Sequence, residues 1–412
     1  MPFIADLHIH SKYSRATSRD MDIPNLDRAA QMKGLDLLGT GDFTHPLWRA
    51  YLKKNLSPVA PGIFKYKKTL FMLSCEVSNV FYKKGKLRKI HNIVFARDFN
   101  IAEKISNRLE RFGDLYSDGR PTLKLEAKEL VKILLDVDEE IIIIPAHVWT
   151  PWFSLFGSNS GFDSVEECFE EMTEYVYALE TGLSSDPAMN WQISSLDRFT
   201  LVSNSDAHSP GNLGREANVF LKPVDYNVIK KVLKEKDRNI FLYTVEFFPQ
   251  EGKYHWDGHR KCGVSLSPVQ AIKNGNICPR CGKKLTLGVM HRVKMLADRE
   301  EGFVPPQSIP FKRVVPLREI IAESLQQGVA TKLVDETYTK IVSQFGGEMK
   351  VLLDVSLEEL SGFIPLRIAE GIKRVREGKV KISCGYDGVY GKVRIFDEQE
   401  RDNESGEQLS LF

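Results

Sequence analysis

Short apolar runs alternate with segments of helical spacing over about the first 245 residues of the chain. The runs that predict strands are Phe3–Leu7, Leu35–Gly39, Leu70–Val77, Ile90–Ala96, Ile141–Ile144, Tyr175–Leu179 and Phe199–Ser203. The segments that predict helices are Leu26–Met32, Ala102–Phe112 and Leu125–Leu135. Alternating strands and helices are typical of βαβ units, so the pattern predicts an α/β sheet or barrel. A polar turn near Gly85 is expected to pair the third and fourth runs.

The pattern changes after Tyr243. Residues 246–295 are rich in Gly, Lys, His and Cys with little periodicity, which predicts a small module without a large core. Residues 299–312 contain three prolines and predict a linker or an extended strap. Helical spacing returns at Leu317–Gln327, Val329–Phe345, Ser356–Leu360 and Pro365–Arg376. We therefore predict a barrel over residues 1–245, a module over 246–295, a mostly helical domain over 296–397 and a flexible tail over 398–412.

Composition narrows the class of protein. The chain has 412 residues, of which 42% are hydrophobic and 27% are charged, as in ordinary soluble globular proteins. The formal net charge of +2 means that any nucleic-acid surface must be a local patch. No apolar run approaches the ~20 residues that cross a bilayer, and a polar motif beginning at Asp6 stands where a signal peptide would be apolar. We expect a cytoplasmic protein with no membrane partner.

Histidines and acids follow the predicted strands, where an α/β barrel places its reactive groups. They are His8, His10, Asp42, His45, Glu76, His91, His147, Asp206 and His208. A single such histidine is usually a hydrogen-bonded core or loop residue, but the whole set points to metal, because imidazole and carboxylate suit zinc, manganese or iron. Nine candidates are too many for one ion, so we predict two or three ions bridged by a carboxylate such as Glu76.

This ordered series resembles the PHP family (polymerase and histidinol phosphatase) over about residues 1–245. The resemblance implies a distorted seven-stranded (βα) barrel with a trinuclear metal site. It assigns His8, His10, Glu76 and Asp206 to one ion, Glu76, His91 and His147 to a second, and His208 with His45 or Asp42 to a third. Two departures concern the third ion. Phe43 and Thr44 separate an Asp and a His that are adjacent in the family, and Ser14-Arg15-Ala16 replaces an Asp or His of many relatives.

The chemistry that follows from such a site is phosphoester hydrolysis. Metal ions lower the pKa of bound water, supply hydroxide near neutral pH and neutralise charge on phosphate oxygens. We predict catalytic roles for Glu76, Asp206 and His208, without a covalent enzyme intermediate. The group that protonates the leaving 3′-oxygen stays open between His208 and a bound water. Zinc is the predicted catalytic metal, with Mg²⁺ or Mn²⁺ as alternatives.

A second metal motif lies in the module. His259 and Cys262 form one half of it, and Cys278 and Cys281 form the other, with Pro279 and Arg280 between them. Two such halves make the closed tetrahedral site of a structural zinc, and in a reducing cytoplasm a metal is favoured over a disulfide. His255 is the alternative fourth ligand.

A barrel followed by this module and a helical region resembles the endonuclease Q family over nearly the whole chain. The resemblance is carried by KYHWDGHRKCG, NICPRCGKKLTLGVMHRV and GYDGVYGKVRIF. It implies nicking of double- and single-stranded DNA on the 5′ side of uracil, hypoxanthine, xanthine or an abasic site, leaving a 3′-hydroxyl and a 5′-phosphate. The alternatives are another PHP phosphoesterase (an exonuclease or a small-molecule phosphatase) and a DNA-binding scaffold with an inactive barrel.

Three further surfaces fit a DNA enzyme. The loop after His147 predicts a pocket for a flipped base, made of Trp149, Trp152, Phe153, Ser158 and Asn159; the alternative is that its aromatic rings pack on the barrel. The predicted phosphate contacts are Lys83, Lys84, Lys86, Arg88, Lys373 and Arg376; the alternative is a solvated surface. The last residues resemble the bacterial sliding-clamp-binding pentapeptide, with Gln408, Leu409, Leu411 and Phe412 as anchors, and predict the clamp as a partner.

Overall fold

The fold mixes α-helices and β-strands around a central sheet. The structure, a computed structural model, describes residues 2–397 and residue 400. The strands are β1 (Phe3–Asp6), β2 (Leu37–Gly39), β3 (Ser57–Ala60), β4 (Ile63–Tyr66), β5 (Thr69–Lys83), β6 (Lys86–Ala96), β7 (Thr122–Leu123), β8 (Ile142–Pro145), β9 (Ala178–Glu180), β10 (Thr200–Val202), β11 (Ala217–Phe220), β12 (Phe241–Glu246), β13 (Asp257–His259), β14 (Val264–Leu266), β15 (Phe311–Arg313), β16 (Lys381–Ser383) and β17 (Lys392–Arg394).

The helices lie outside the central sheet and again at the C-terminal end. They are α1 (Ile23–Lys33), α2 (Pro46–Asn55), α3 (Phe99–Leu109), α4 (Ala127–Val137), α5 (Val165–Phe169), α6 (Pro187–Asn190), α7 (Tyr226–Glu235), α8 (Pro268–Lys273), α9 (Val289–Leu296), α10 (Leu317–Ser324), α11 (Lys332–Phe345), α12 (Glu348–Leu353), α13 (Leu357–Ser361) and α14 (Leu366–Arg376). Short 3₁₀ turns occupy Glu170–Tyr175, Ser194–Arg198, Pro210–Asn212, Pro249–Glu251 and Arg260–Cys262. No helix of the described residues is both long enough and apolar enough to cross a membrane.

Eleven strands of the described chain form the central sheet, and its pairing is mixed. β1 pairs in parallel with β2, and β2 pairs in parallel with β5. β6 then pairs antiparallel with β5 on one side and with β8 on the other. The expectation of parallel βαβ units is therefore only partly met, because β5 and β6 form the predicted hairpin. Lys84 and Gly85 at its turn have φ angles of 51° and 73°, the left-handed conformation that a tight hairpin turn requires.

β9 and β10 pair in parallel beside this sheet and complete a ring of strand ends. The backbone N–H of His10, just after β1, donates to the carbonyl of Ala207, just after β10, at 3.0 Å. Val148, just after β8, donates to the carbonyl of Glu180 at the end of β9, also at 3.0 Å. The segments that follow these strands thus surround one common space.

The apolar core lies on both faces of the sheet. Ile142 and Ile144 of β8 pack into one buried cluster. Ile143 of β8 and Ile141, which precedes the strand, pack into another. Alternation along a strand sends neighbouring side chains to opposite faces, so the isoleucine run is buried on both faces, as predicted. Such a strand is held rigidly, and the residue that follows it is placed with little freedom.

The C-terminal helices pack against α1 rather than standing apart. The Lys33 Nζ of α1 lies 2.7 Å from Glu348 Oε2 of α12, and both side chains are buried. The proline-rich segment 299–312 differs from the prediction of a linker, since its end forms β15 and pairs in parallel with β12. Arg313 of β15 also bonds Asp186 through its Nε at 3.0 Å. An edge strand that begins just after Pro310 is compatible with proline, because proline cannot donate to a ladder.

Candidate metal centre

Two groups of ligand atoms meet where the central strands end. The first group is His8, His10, Glu76 and Asp206, and the second is Glu76, His91 and His147. In each group the ligand atoms lie within 4.8 Å of one another. Glu76 belongs to both groups, so one carboxylate joins them, as expected from the sequence.

The first group contains ligand atoms that nothing in the protein satisfies. His10 Nε2 lies 3.3 Å from Glu76 Oε2 and 3.0 Å from Asp206 Oδ1. His8 Nε2 lies 3.8 Å from Glu76 Oε1 and 3.7 Å from Asp206 Oδ1. Both Nε2 atoms and Asp206 Oδ1 are buried without a hydrogen bond. A buried unsatisfied polar atom costs roughly 1–3 kcal/mol, and a cation among these atoms removes that cost. The donor set therefore fits a metal ion.

The second group is tighter. Glu76 Oε1 lies 2.7 Å from His91 Nδ1 and 3.0 Å from His147 Nε2. The two imidazole nitrogens are themselves 3.2 Å apart. Two nitrogens and one carboxylate oxygen that converge in this way, all buried, form the kind of three-ligand set that holds a catalytic metal with an open position.

Two buried carboxylates orient the histidines of the first group by contacting their Nδ1 atoms, on the opposite side of the ring from Nε2. His8 Nδ1 lies 3.0 Å from both oxygens of Glu180. His10 Nδ1 lies 3.1 Å from Asp42 Oδ1. A carboxylate that accepts from one ring nitrogen fixes the tautomer and leaves the other nitrogen free for a metal. Asp42 thus acts on His10 rather than within either ligand group.

The backbone is strained where it delivers these side chains. Asp42, His147 and Asp206 have φ angles of 51°, 31° and 48°, a left-handed conformation that non-glycine residues adopt rarely. Such strain concentrates at functional sites. Gly182 makes room for one of them, because a Cβ there would lie 2.4 Å from the Cβ of His147.

The third group that the family resemblance implied is not assembled among the described residues. His45 caps helix α2, with its Nδ1 accepting from the Trp48 N–H at 3.4 Å. Its Nε2 lies 3.1 Å from the carbonyl oxygen of Tyr116, so both ring nitrogens are engaged. His208 uses its Nδ1 at 2.9 Å from the carbonyl oxygen of Asp206. Neither Asp42 nor His45 belongs to a ligand group of the described residues, and a direct contact of either with metal stays a prediction.

The charges of the site fit its use as a ligand set. Burial alone would raise the pKa of Glu76, but the surrounding imidazoles, with His91 first, hold it well below the usual range. Burial lowers the pKa of His91 to about 4, against the opposing effect of Glu76. The carboxylate is thus ionised and the His91 ring is neutral near pH 7, which are the forms that bind metal.

Two residues of the site were missed from the sequence. Glu180 also accepts from the backbone N–H of His147 at 2.8 Å, so it steadies both ligand groups. It ends β9, and an acid at a strand end was the signal that should have been used. Arg120 donates from Nη1 to Glu76 Oε2 at 3.2 Å. Burial would lower the pKa of Arg120, but the carboxylates of Glu76, Asp206 and Asp118 raise it. No motif marks this arginine.

The Cys/His group comes together as predicted. Its ligands are His259, Cys262, Cys278 and Cys281, whose ligand atoms lie within 4.8 Å of one another. His255 is buried outside this group, so His259 is the histidine that the geometry favours. Burial would raise the pKa of Cys278, but the backbone N–H groups of Arg280 and Cys281 lower it to about 6. A thiol with a lowered pKa is suited to bind metal as thiolate.

The loop after His147 divides into a buried part and an exposed part. Trp149 is only 1% exposed and donates from Nε1 to Asn190 Oδ1 at 2.8 Å. Its assignment to a base pocket is corrected, because a ring that belongs to the core cannot receive a base. Trp152 is 46% exposed, with its ring 5.3 Å from that of Tyr254. Phe153 packs 4.9 Å from the His91 ring. Ser158 and Asn159 are exposed.

Half of the predicted phosphate contacts have structural roles instead. Lys83 Nζ lies 2.5 Å from Glu170 Oε1 and 3.5 Å from Glu126 Oε2. Arg88 donates to the carbonyl of Gly161. Arg376 donates to the carbonyls of Val351, Leu352 and Val355 at 2.7 to 2.9 Å. A run of basic residues predicts a surface, but these three side chains fold back on nearby acceptors.

The other predicted phosphate contacts remain accessible. Lys84 and Lys86 are exposed at the turn of the β5–β6 hairpin. Lys373 on α14 has a side chain that is 43% exposed and lies 3.9 Å from Glu370. Cys75 and Cys168 are buried, and Cys384 is partly buried. The proposed clamp anchors Gln408, Leu409, Leu411 and Phe412 lie outside the described residues.

Comparison with known sequences finds a partial family match, one relative matched over nearly its full length and one matched over part of its length. The family model described as "MJ0043 C-terminal domain" matches residues 316–379. The uncharacterised protein YqxK of Bacillus subtilis is 29% identical over 411 residues, which are 95% of this chain and 98% of that protein. The uncharacterised protein MJ0043 of Methanocaldococcus jannaschii is 35% identical over 255 residues, or 60% of this chain and 31% of that protein.

Comparison with solved structures finds two that match throughout. The lesion-specific endonuclease PfuEndoQ from Pyrococcus furiosus superposes with a TM-score of 0.86 and 32% identity, covering 98% of this chain and 99% of that one. A complex of endonuclease Q with a 27-mer duplex, which carries an abasic lesion at the active site, gives a TM-score of 0.84 and 33% identity, covering 97% and 98%. The likeness thus extends over nearly the whole length of both chains.

Proposed function

The chain belongs to the endonuclease Q family and is a metal-dependent DNA endonuclease, and from that premise we propose its substrates and chemistry. It hydrolyses the phosphodiester on the 5′ side of uracil, hypoxanthine, xanthine or an abasic site, leaving a 3′-hydroxyl and a 5′-phosphate. The observation that carries this proposal is the likeness, over 97% of the chain, to an endonuclease Q complex with an abasic lesion at its active site. The substrate is double- or single-stranded DNA.

The two ligand groups are proposed to hold the catalytic metal. His8, His10, Glu76 and Asp206 would bind one ion, and Glu76, His91 and His147 a second. Zinc suits imidazole with carboxylate, and Mg²⁺ or Mn²⁺ are alternatives. Bound there, a divalent ion would supply the positive charge that acidifies water and neutralises phosphate oxygens.

The chain's own residues prepare this chemistry. Glu180 and Asp42 accept from the Nδ1 atoms of His8 and His10, which leaves each Nε2 as the atom that would face a metal ion. His208 lies 28% exposed at the rim, and its Nδ1–H donates to the carbonyl of Asp206. Its Nε2 then carries a lone pair, so neutral His208 accepts a proton rather than donates one. We assign it the proton of the attacking water, and the leaving 3′-oxygen takes its proton from another source.

Lesion recognition is assigned to the exposed part of the loop after His147. An enzyme that cuts beside one altered base needs that base out of the stack. Phe153 packs against the His91 ligand, and Trp152, Ser158 and Asn159 are exposed on the same loop. Aromatic faces with small polar groups suit a flipped base or the gap at an abasic site. Lys84, Lys86 and Lys373 would contact phosphates, which gives salt-dependent binding.

We propose the domain organisation that the sequence predicts. The barrel of residues 1–245 is the PHP-type distorted (βα)₇ barrel, residues 246–295 form a structural zinc module, and residues 296–397 bind DNA. The tail of residues 398–412 binds a sliding clamp. Deleting residues 408–412 should abolish clamp binding in a pull-down while leaving the nicking of short duplexes unchanged.

Mapped cleavage of lesion duplexes tests the function. Duplexes of one sequence, labelled at the 5′ end of one strand, would carry uracil, hypoxanthine, xanthine, an abasic site or no lesion. We expect one nick immediately 5′ to each lesion, with a 3′ end that a polymerase extends, and none without a lesion. Equal cutting of the lesion-free duplex, degradation from the ends, or turnover of nitrophenyl phosphate alone would reject the assignment.

A further inference from the structure

We propose that Arg120 supplies, at this centre, the positive charge that a third metal ion would supply, so that two ions and one guanidinium together bind the scissile phosphodiester. The inference rests on the proposed function, because it assigns a phosphate-binding role within that site. It departs from the trinuclear site that the sequence resemblance implied.

The first reason is that most of the acceptor positions of Asp42 are occupied. Its Oδ1 lies 3.1 Å from His10 Nδ1. Its Oδ2 accepts from the Ser11 N–H at 2.7 Å, the Ser11 hydroxyl at 2.6 Å and the Ser14 hydroxyl at 2.9 Å. Each carboxylate oxygen offers about two lone-pair positions, so three donors saturate Oδ2, and Oδ1 keeps one position beside His10. Serine at position 14, in place of an acid or imidazole, thus donates to Asp42 instead of providing a further ligand atom.

The second reason is that the remaining candidates cannot complete a site. Both ring nitrogens of His45 are engaged, one with the backbone of α2 and one with Tyr116. His208 retains only Nε2. One imidazole nitrogen does not hold a divalent ion, which takes several protein ligands even in open catalytic sites. The third position therefore lacks its ligands in the described chain.

The positive charge of Arg120 offsets part of the negative charge of the carboxylates around it. Its Nη1 donates to Glu76 Oε2 at 3.2 Å, and Asp206 and Asp118 also act on its charge. The side chain is 26% exposed, so it reaches solvent from the centre. A guanidinium has five N–H groups in a rigid fork. The bond to Glu76 uses one of them, and the rest of the fork is suited to bind two oxygens of one phosphate.

Backbone contacts hold the loop that carries Arg120 close to Asp42. Gly119 donates its N–H to the Tyr13 carbonyl at 3.0 Å, and a Cβ on Gly119 would lie 2.3 Å from Asp42 Oδ2. The Arg120 N–H donates to Asp118 Oδ1 at 3.1 Å. The carbonyl of Pro121 accepts from Ser78 of β5 at 2.9 Å. The loop is thus closed down over Asp42, which leaves Arg120 little freedom.

Metal content and kinetics of Arg120 variants test the proposal. The metal-loaded full chain should contain two ions besides the one assigned to the Cys/His group, counted by native mass spectrometry and by the loss of one in Cys262→Ser. Arg120→Gln should keep this count and lower kcat on a lesion duplex by about 10²–10³-fold, the usual effect of removing one electrostatic donor. Arg120→Lys, which keeps the charge but not the fork, should lose less.

Arg15 offers a matched control on the same rim. Its side chain is 77% exposed and its Nε lies 3.5 Å from Asp118 Oδ2. Arg15→Gln should nick like the parent. A third ion in the centre, parental kcat in Arg120→Gln, or loss of an ion together with activity in Arg120→Gln would each overturn the proposal; the last would mean that Arg120 acts only by holding Glu76.

The outcome is separable from that of the proposed function. If the parent does not nick lesion duplexes, the lesion assignment fails, but hydrolysis of bis(p-nitrophenyl) phosphate still reports on the centre. In that assay Arg120→Gln should again be slower than Arg15→Gln at an unchanged ion count. Equal rates would reject the role of the arginine whatever the natural substrate is.

Discussion

The metal centre of the central sheet and the Cys/His group of residues 246–295 differ in what holds their ligands in place. The first lies at the ends of strands whose side chains are buried on both faces, with carboxylates behind two of its histidines. The second lies on short strands and turns around a small apolar cluster of Val264, Ala271, Cys278 and Leu285.

This difference indicates opposite relations between metal and fold. The sheet has a large apolar core made of side chains that are not metal ligands. It also keeps buried, unsatisfied ligand atoms in place, at a cost in stability. The small module has too little core to fold by burial alone, so metal binding has to supply its folding free energy. Removing metal should therefore cost activity in one region and structure in the other.

The largest expected effect is the loss of the module's structure when its metal is lost. Structural zinc contributes apparent binding free energies of roughly 10–16 kcal/mol at pH 7. Cys278→Ser should therefore abolish hydrogen-exchange protection over residues 257–286 while β1, β5 and β8 stay protected. Cys384→Ser is the matched control, because Cys384 is outside the group, and it should behave like the parent. Parental protection in Cys278→Ser would show that the module folds without its metal site.

The next effect is loss of nicking without loss of fold. Asp206→Asn removes a negative ligand from the first group, so nicking should fall by about 10²–10³-fold or more. Burial would raise the pKa of Asp206, but the bond from His10 and the charge of His8 hold it below the usual range, so its charge stabilises the fold. The apo variant should therefore stay folded with a lower Tm than the parent. Nicking rates and thermal unfolding of the apo protein measure the two effects, and a variant that does not fold would mean that this centre, like the module, is needed for folding.

The residues of the centre that could be predicted from the sequence are those that lie in or follow a predicted strand. His8, His10, His91 and His147 were found because each follows or lies in an apolar run and has a metal-binding side chain. Arg120 was not found, because an arginine in a loop has no periodicity or spacing to mark it. Asp42 was found, but its bonds to His10, Ser11 and Ser14 are visible only in the structure.

Outside the centre the same limit applies. The β5–β6 hairpin and most C-terminal helices follow from local pattern, whereas β15 joins the sheet through pairing with β12, which is distant in sequence. Trp149 and Arg376 were read as surface residues. Their partners, Asn190 and the carbonyls in and just after α12, are set by tertiary packing that no local pattern contains.

A smaller effect is expected behind the metal centre. Glu180→Gln keeps the shape of the side chain but removes the charge that orients His8 and part of the support of His147. Changes of this kind typically cost 10–100-fold in metal affinity or activity. Metal titration of nicking should show the loss as a higher metal requirement. Glu171→Gln, on an exposed acid paired with Lys132, should leave the requirement unchanged, and an unchanged value for Glu180→Gln would remove Glu180 from the centre.

The smallest effect concerns the segment that joins the two regions. Burial, together with the charge of Glu319, raises the pKa of Glu251 to about 8. Because this exceeds the ordinary value of 4.5, the stability that the group contributes is present below about pH 4.5 and is lost as pH rises through 8. Glu251→Gln should raise Tm at pH 9, by about 1 °C for each kcal/mol gained, and leave it unchanged at pH 4.

Glu300→Gln, at an exposed acid, serves as its control and should not change Tm at either pH. An equal gain for Glu251→Gln at both values of pH would mean that Glu251 does not titrate as its surroundings indicate.

The most direct test of the metal centre is an anomalous-difference map of the metal-loaded protein crystallised with an abasic duplex whose scissile linkage resists cleavage. We expect one peak among His8, His10 and Asp206 and a second peak beside His91 and His147, with Glu76 in contact with both. The phosphate 5′ to the lesion should lie next to the two peaks. Empty ligand groups, or a lesion phosphate lying elsewhere on the protein, would contradict this expectation.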